Sequence, residues 1–243
     1  SLAFHHTASS LRLLQAVLDV DLESLVLCVS VGPGAGQRPL GDTDSSLYPL
    51  GSYGAHCLIT ALYGLLLQKQ ELLLGVSVNC LGSLLGFLQR RSPSTAQHVV
   101  CQPWSRFLLY SLLNSGESCL LHPATLTLLT LLLRYGSRVV VWEPDLCQVL
   151  EAVEKRGLNE LGENTTQALR QLLTQLQCSI FHTPPTEESR LRANTLMESL
   201  NSQPPTANDN LPTSILYPTL MYPGDPPHTH THTHTHSYSI KDS

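Results

Sequence analysis

A leucine-rich block from Trp104 to Arg134 constrains the fold of this chain more than any other stretch of its sequence. A polar segment, Asn114 to Ser118, interrupts the block, and the apolar pattern restarts at Pro123. Because proline is favoured in the first turn of a helix, this pattern predicts two helices that fold back on each other across a loop. The remainder of the first 180 residues contains further apolar segments separated by polar loops.

Two further segments, Gly51 to Gln68 and Leu72 to Leu88, are so rich in apolar residues that neither keeps a clear polar face. A helix that is apolar on all sides must be buried on all sides, so we expect both to be inner helices. The second should end at Arg90 and Arg91, because cations suit a helix C-terminus and Pro93 cannot continue the hydrogen-bond ladder.

Shorter apolar rows predict helices at the start of the chain. Ser9 or Ser10 is suited to cap a first helix and Asp21 a second, because short polar side chains bond the free N–H groups of a helix start. A loop rich in Gly, Pro and Ser follows from Gly32 to Ser46. The apolar rows of the two helices are Leu11, Leu14 and Leu18, and Leu22, Leu25, Val26 and Val29.

Two more helices are predicted after Arg138 to Trp142, a strand-like stretch that we interpret as an extended connector or a helical turn. Pro144 suits a first turn and Gly157 a helix end. Asn164 with Gln167 resembles a capping box for the last helix. The apolar rows are Leu146, Val149, Leu150 and Val153, and Leu169, Leu172, Leu173 and Leu176, with Asp145, Gln148, Glu151 and Glu154 facing outward.

Helix pairs that start near residues 9, 51, 104 and 144 recur at a spacing on the order of 40 to 50 residues, the period of armadillo and HEAT arrays. We therefore predict an all-α fold, an armadillo/HEAT-like α-solenoid of paired antiparallel helices, for residues 1–182 as a fragment of a longer array. Residues 183–243 are predicted to be a disordered tail with at most a short helix near Leu191 to Leu200. This tail contains a His-Thr repeat at residues 228–236.

The sequence contains no motif for catalysis or cofactor binding. Gly82 to Gly86 has the letters of a nucleophile elbow in the wrong order, and Gly32 to Pro39 lacks the lysine of a phosphate loop. Zinc sites need more ligands than the pairs present here supply, so a core thiol and a loop imidazole are the simpler interpretation. We predict no catalytic residue, no cofactor and no metal site; the nearest metal-binding pairs are His56 with Cys57 and Cys119 with His122.

Charge and cysteine usage limit the partners and the compartment. The net charge is -5, which offers no basic surface for nucleic acid, so we expect no direct nucleic-acid binding. The seven cysteines are odd in number, scattered and set among apolar residues, as in reduced proteins. An intracellular location follows from that pattern.

A membrane protein is the alternative that the composition leaves open. Leu72 to Leu88 has no charged residue, and Gly82 and Gly86 have the spacing that lets membrane helices approach closely. The segment is shorter than the roughly 20 residues needed to span a bilayer. The alternative function is therefore a multi-helix membrane protein with residues 72–88 as a spanning segment. The favoured interpretation of residues 72–88 is an inner helix of the core.

The favoured function is a non-catalytic scaffold for protein–protein interaction. A helical array presents a long concave face to its partners, whereas an enzyme would gather titratable groups at loops that here are dominated by Ser, Gly, Pro and Gln. Candidates for the partner surface are Trp104, Tyr110, Tyr135 and Trp142, with ordinary core packing as the favoured alternative for each.

The segments HHTASSLRLLQAVLDVDLESLVLCV (residues 5–29) and WSRFLLYSLLNSGESCLLHPATLTLLTLLLRY (residues 104–135) resemble the C-terminal part of the vertebrate meiosis inhibitor protein 1 family. Members of that family are large armadillo-like proteins, and the resemblance covers about residues 4–180. It implies a nuclear scaffold in the machinery that forms meiotic DNA double-strand breaks and supports chromosome synapsis, with proteins of the recombination machinery as partners. The family provides no catalytic residues to carry over, and the His-Thr tail departs from its pattern.

Overall fold

The computed structural model describes residues 2–20, 50–136, 140–178 and 187–202. These residues form ten α-helices and one turn of 3₁₀ helix, with no β-strand among them, so the predicted all-α class is confirmed. The helix predicted after Asp21, the loop from Gly32 to Ser46 and the His-Thr repeat lie outside the described residues. The helices are α1 (Leu2–Asp19), α2 (Gly51–Leu67), α3 (Glu71–Arg91), α4 (Pro93–Val100), α5 (Pro103–Leu113), α6 (Glu117–Leu120), α7 (Pro123–Tyr135), α8 (Glu143–Arg156), α9 (Glu163–Gln177) and α10 (Glu187–Asn201), with the 3₁₀ turn at Leu158–Glu160.

Helix α3 lies at the centre of the core and packs against α1, α2, α4 and α7. No residue from Leu73 to Leu88 is exposed, which confirms the inner helix predicted there. Among the described helices, α3 is long and apolar enough to cross a membrane, and 67% of its most apolar 18-residue window is buried inside the protein. The helix ends at Arg91, before Pro93, as expected.

Helix α2 is amphipathic, and the expectation that it is buried on all sides was wrong. Ala55, Ile59, Leu62, Tyr63 and Leu66 form its buried face. The opposite face is exposed because most of its residues are small or polar. Averaged over the whole helix, the composition is apolar, so the sequence pattern did not reveal that the helix has two different sides. The exposed residues are Tyr53, His56, Cys57, Thr60, Ala61 and Gly64.

The leucine-rich block forms the two predicted helices, α5 and α7, which contact each other. Helix α7 starts at Pro123 as predicted, and α5 starts at Pro103, one residue before the expected Trp104. The polar segment between them is shorter than expected, because Glu117–Leu120 adds the single turn of α6. Gly116 precedes this turn with φ +103°, a backbone conformation that glycine adopts without strain.

Three predicted cap or surface positions were wrong. Helix α1 starts at Leu2 because no breaking residue precedes Ser9 and Ser10, which therefore lie inside it, and the Ser10 hydroxyl donates to the His6 carbonyl at 3.0 Å. Helix α9 starts at Glu163 after Gly162, so Asn164 is inside the first turn and does not cap it. Asp145 is buried, because it pairs with Arg106 of α5.

The apolar rows of α8 and α9 are buried as predicted, and α10 packs against both helices. The sequence indicated at most a short helix in this region, whereas α10 has 15 residues and buries Ala193, Leu196 and Leu200. Arg192 pairs with Glu151 on α8 at 3.2 Å. The division of the chain at residue 182 stays a prediction.

Candidate interaction surface

Helix α5 exposes a row of three aromatic side chains. Trp104, Phe107 and Tyr110 are 69%, 53% and 57% exposed, and their three-residue spacing places them on one side of the helix. The Trp104 and Phe107 rings meet edge to face, with centroids 6.3 Å apart. The other side of the helix is filled by Leu108, Leu109, Leu112 and Leu113, which are buried. Packing of these leucines fixes which side of α5 faces out.

Trp142, just before α8, stacks on Arg106 of α5. The Arg106 guanidinium lies 3.7 Å from the centre of the Trp142 ring, and Trp142 remains 50% exposed. Arg106 is one turn before Tyr110, so Arg106 and Tyr110 lie on the same side of α5.

The Asp145 carboxylate explains why this arrangement is fixed. It accepts a hydrogen bond from Arg106 and another from the Trp142 backbone N–H at 2.7 Å. Arg106 also donates to the Val140 carbonyl at 3.4 Å. Asp145 was expected to face outward, opposite the apolar row of its helix. It turns inward because its cation comes from α5, 39 residues earlier in the chain.

Exposed side chains of α2 and α4 contact each other through His56 and His98. The His56 and His98 rings lie 6.1 Å apart between α2 and α4, and the Gln102 amide, just before α5, donates to the His98 carbonyl at 2.9 Å. Tyr53 at the start of α2 is 83% exposed. The ring contact joins the outer faces of α2 and α4.

A buried hydrogen bond fastens α2 to α5 beneath that surface. The Tyr63 hydroxyl and the Ser105 hydroxyl are 2.7 Å apart. Burial raises the pKa of Tyr63 to about 12, against a lowering effect of the bond to Ser105. Tyr63 is therefore neutral at any physiological pH, and its phenol serves as a fixed polar link within the core.

We call the exposed aromatic side chains of α2, α5 and the start of α8 the aromatic surface; they are Tyr53, Trp104, Phe107, Tyr110 and Trp142. Helices α2 and α4 contain no Asp, Glu, Lys or Arg, and α5 contains only Arg106, which is already paired. Enrichment in aromatic residues with depletion of charge is typical of the central part of protein–protein interfaces. The aromatic surface therefore has the composition of a docking site.

The four residues that the sequence proposed as a partner surface differ in their exposure. Trp104, Tyr110 and Trp142 are each 50% or more exposed. Tyr135 is half-buried on α7, with its hydroxyl close to Gly86 of α3, and packs against the core. Sequence reasoning missed Tyr53 and Phe107, although Phe107 stands at the same three-residue spacing that relates it to both neighbours in the row.

The described residues contain no group of three His, Cys, Asp or Glu side chains placed to hold a metal ion. His122 instead caps α7, where its Nδ1 accepts from the Ala124 backbone N–H at 3.1 Å. Its Nε2 lies 3.1 Å from a Glu71 carboxylate oxygen. Cys119 is half-buried against the core.

Comparison with known proteins gives two sequence matches and no structural one. No family model and no solved structure matches the chain. Meiosis inhibitor protein 1 of Homo sapiens is 40% identical over 179 residues, which cover 73% of this chain, and that of Mus musculus is 38% identical over 173 residues, or 70%. The chain is similar to meiosis inhibitor protein 1.

The match covers 14% of human and 13% of mouse meiosis inhibitor protein 1, so the chain spans about one seventh of the length of these relatives. The resemblance to meiosis inhibitor protein 1 predicted from residues 5–29 and 104–135 is thereby confirmed. The relatives carry a name that denotes a process, meiosis, and no chemical reaction.

Proposed function

We propose that this protein is a non-catalytic helical scaffold that acts in meiosis by binding proteins through the aromatic surface. The meiotic role is supported by the similarity to meiosis inhibitor protein 1. By the same similarity, we propose that it works in the nucleus with proteins of the recombination machinery, in double-strand-break formation and chromosome synapsis.

The observation that carries the binding role is the orientation of α5. This helix turns its leucines inward and three aromatic side chains outward, each more than half exposed. Aromatic side chains are the commonest energetic anchors of protein interfaces, because they bury large areas at a small cost in conformational entropy.

A solenoid arrangement of the armadillo or HEAT type fits this role. Many of the helix contacts join elements close in the chain, such as α2 with α3, α5 with α7, α7 with α9 and α9 with α10. In repeat arrays each unit packs mainly on its neighbours, and partners bind along the extended surface that results. The pattern of contacts therefore supports the array predicted from the sequence.

The test compares surface variants in meiotic cells that lack the endogenous protein. A Trp104→Ala/Tyr110→Ala variant should keep its abundance, because both side chains are mostly outside the core, and should fail to restore chromosome synapsis. Leu191→Ala, which truncates an exposed leucine of α10, is the matched control and should restore synapsis fully. Full restoration by the aromatic variant would contradict the proposal.

One observation favours the alternative of a membrane protein, namely that α3 is long and apolar. Its packing against four other helices supports the core role instead. Extraction of cell membranes with alkaline carbonate separates the two functions. We expect the protein in the supernatant, and retention in the membrane pellet would favour the spanning segment.

A further inference from the structure

We propose that the partner of the aromatic surface is a second copy of this chain, bound in a two-fold contact centred on Phe107. This inference rests on the proposed function, because it names a partner for the same surface. It makes the scaffold a dimer, in which two α5 helices lie antiparallel against each other.

The order of the aromatic residues on α5 fits such a contact. Trp104 and Tyr110 lie three residues on either side of Phe107. In a two-fold interface, residue i of one copy meets residue j of the other, and residue j meets residue i. Antiparallel α5 helices would therefore set Phe107 against its own counterpart and Trp104 against Tyr110 on both sides. Aromatic rings favour such pairs in offset or edge-to-face arrangements.

Charge also favours self-association. A surface with charges of one sign repels its own copy, and this chain has a net charge of -5. The aromatic surface avoids that penalty, because α2 and α4 are without charged residues and the Arg106 charge is neutralised by Asp145 in the same copy. A strongly charged partner would find no complementary charge on these helices.

The exposed row on α5 supplies part of the area that a dimer needs. Trp104, Phe107 and Tyr110 are 53% to 69% exposed, and a buried aromatic residue contributes about 150 to 250 Å², so the row offers roughly 350 Å² per copy. A stable interface buries about 800 Å² per partner. The remainder would come from the uncharged outer faces of α2, which contacts α5, and of α4.

Analytical ultracentrifugation of the purified full chain tests the proposal. The wild-type chain should sediment as a dimer that dissociates on dilution. Phe107→Glu and Phe107→Lys should each raise the dimer dissociation constant at least tenfold, because each sets like charges against each other across the two-fold axis. An equimolar mixture of the two variants should dimerise again, because the axis then pairs opposite charges.

The matched control is Leu191→Glu, which adds the same charge to an exposed leucine on α10 and should leave the dimer intact. Circular dichroism confirms that each variant is folded. If a Phe107 variant is not, Trp104→Ala/Tyr110→Ala, which should also weaken the dimer at least tenfold, replaces it.

A monomeric wild-type chain at every concentration, or variants that dimerise like the wild type, would overturn the inference. The proposed function would survive that result if the aromatic variant still failed to restore synapsis, since a different protein would then occupy the surface. A dimer that the variants disrupt without any loss of synapsis would support the inference and remove the proposed function.

Discussion

The ion pair between Arg106 and Asp145 should be the most sensitive polar contact in the fold. The side chains are 19% and 8% exposed, so both charges have lost most of their hydration. Arg106→Met keeps an apolar side chain of similar length and removes the charge, together with the guanidinium that stacks on Trp142. Among the described residues, the Asp145 carboxylate would then keep the Trp142 backbone N–H as its hydrogen-bond donor.

Removing one member of a buried ion pair costs about 3 to 5 kcal/mol, because the other charge is left without compensation. Since Arg106 keeps some contact with water, we expect Arg106→Met to lower the free energy of unfolding by about 3 kcal/mol. Urea lowers that free energy by about 1 to 3 kcal/mol per molar for small proteins. The urea midpoint, followed by circular dichroism, should therefore fall by roughly 1 M or more.

A double-mutant cycle isolates the pair from its surroundings. Asp145→Asn keeps the shape of the side chain and an oxygen that can accept from Trp142. The double variant Arg106→Met/Asp145→Asn should be more stable than the sum of the single losses predicts, by about 2 kcal/mol. Arg106→Lys, which keeps the charge and loses the planar fork, should fall between the wild type and Arg106→Met. A coupling energy below about 0.5 kcal/mol would refute the reasoning.

Three further predictions concern the core. Leu84→Asp and Leu172→Asp should each abolish the helical circular dichroism signal at 25 °C, because both leucines are fully buried and an unpaired charge there costs several kcal/mol; a variant that melts like the parent would show that its helix face is misassigned. Ser77→Ala should raise the melting temperature by the equivalent of about 1 kcal/mol, since its buried hydroxyl has no hydrogen-bond partner among the described residues; destabilisation would indicate a missed partner. Burial raises the pKa of Cys80 to about 11, so a disulfide reagent at pH 8 should modify the exposed Cys57 quickly and Cys80 only after unfolding, as single Cys→Ser variants would show.

The helical class was predictable because burial repeats with the helical period. The leucines from Leu169 to Leu176 recur every three or four residues, and Val149 and Val153 follow Leu146 at similar spacing. Such spacing identifies a buried face without any knowledge of what covers it. Asp145 was mispredicted for the complementary reason. Its partner lies on another helix, and the period of a sequence contains no information about long-range pairs.

The aromatic surface was predictable in part. Trp104, Tyr110 and Trp142 were named because large aromatic residues are common in interfaces. Composition alone could not separate them from Tyr135, whose ring packs inward. That distinction depends on which side of each helix its leucines occupy, and for Trp142 it depends on the position of Arg106.

The central position of α3 has a consequence for how the chain is made. During synthesis, Glu71–Arg91 leaves the ribosome before residues 93–135, which include two of the helices that later cover it. For that interval the nascent polypeptide displays 21 mostly apolar residues to its surroundings. Correct folding therefore requires that the downstream helices be completed before chaperones, lipid or other unfinished chains bind the exposed segment.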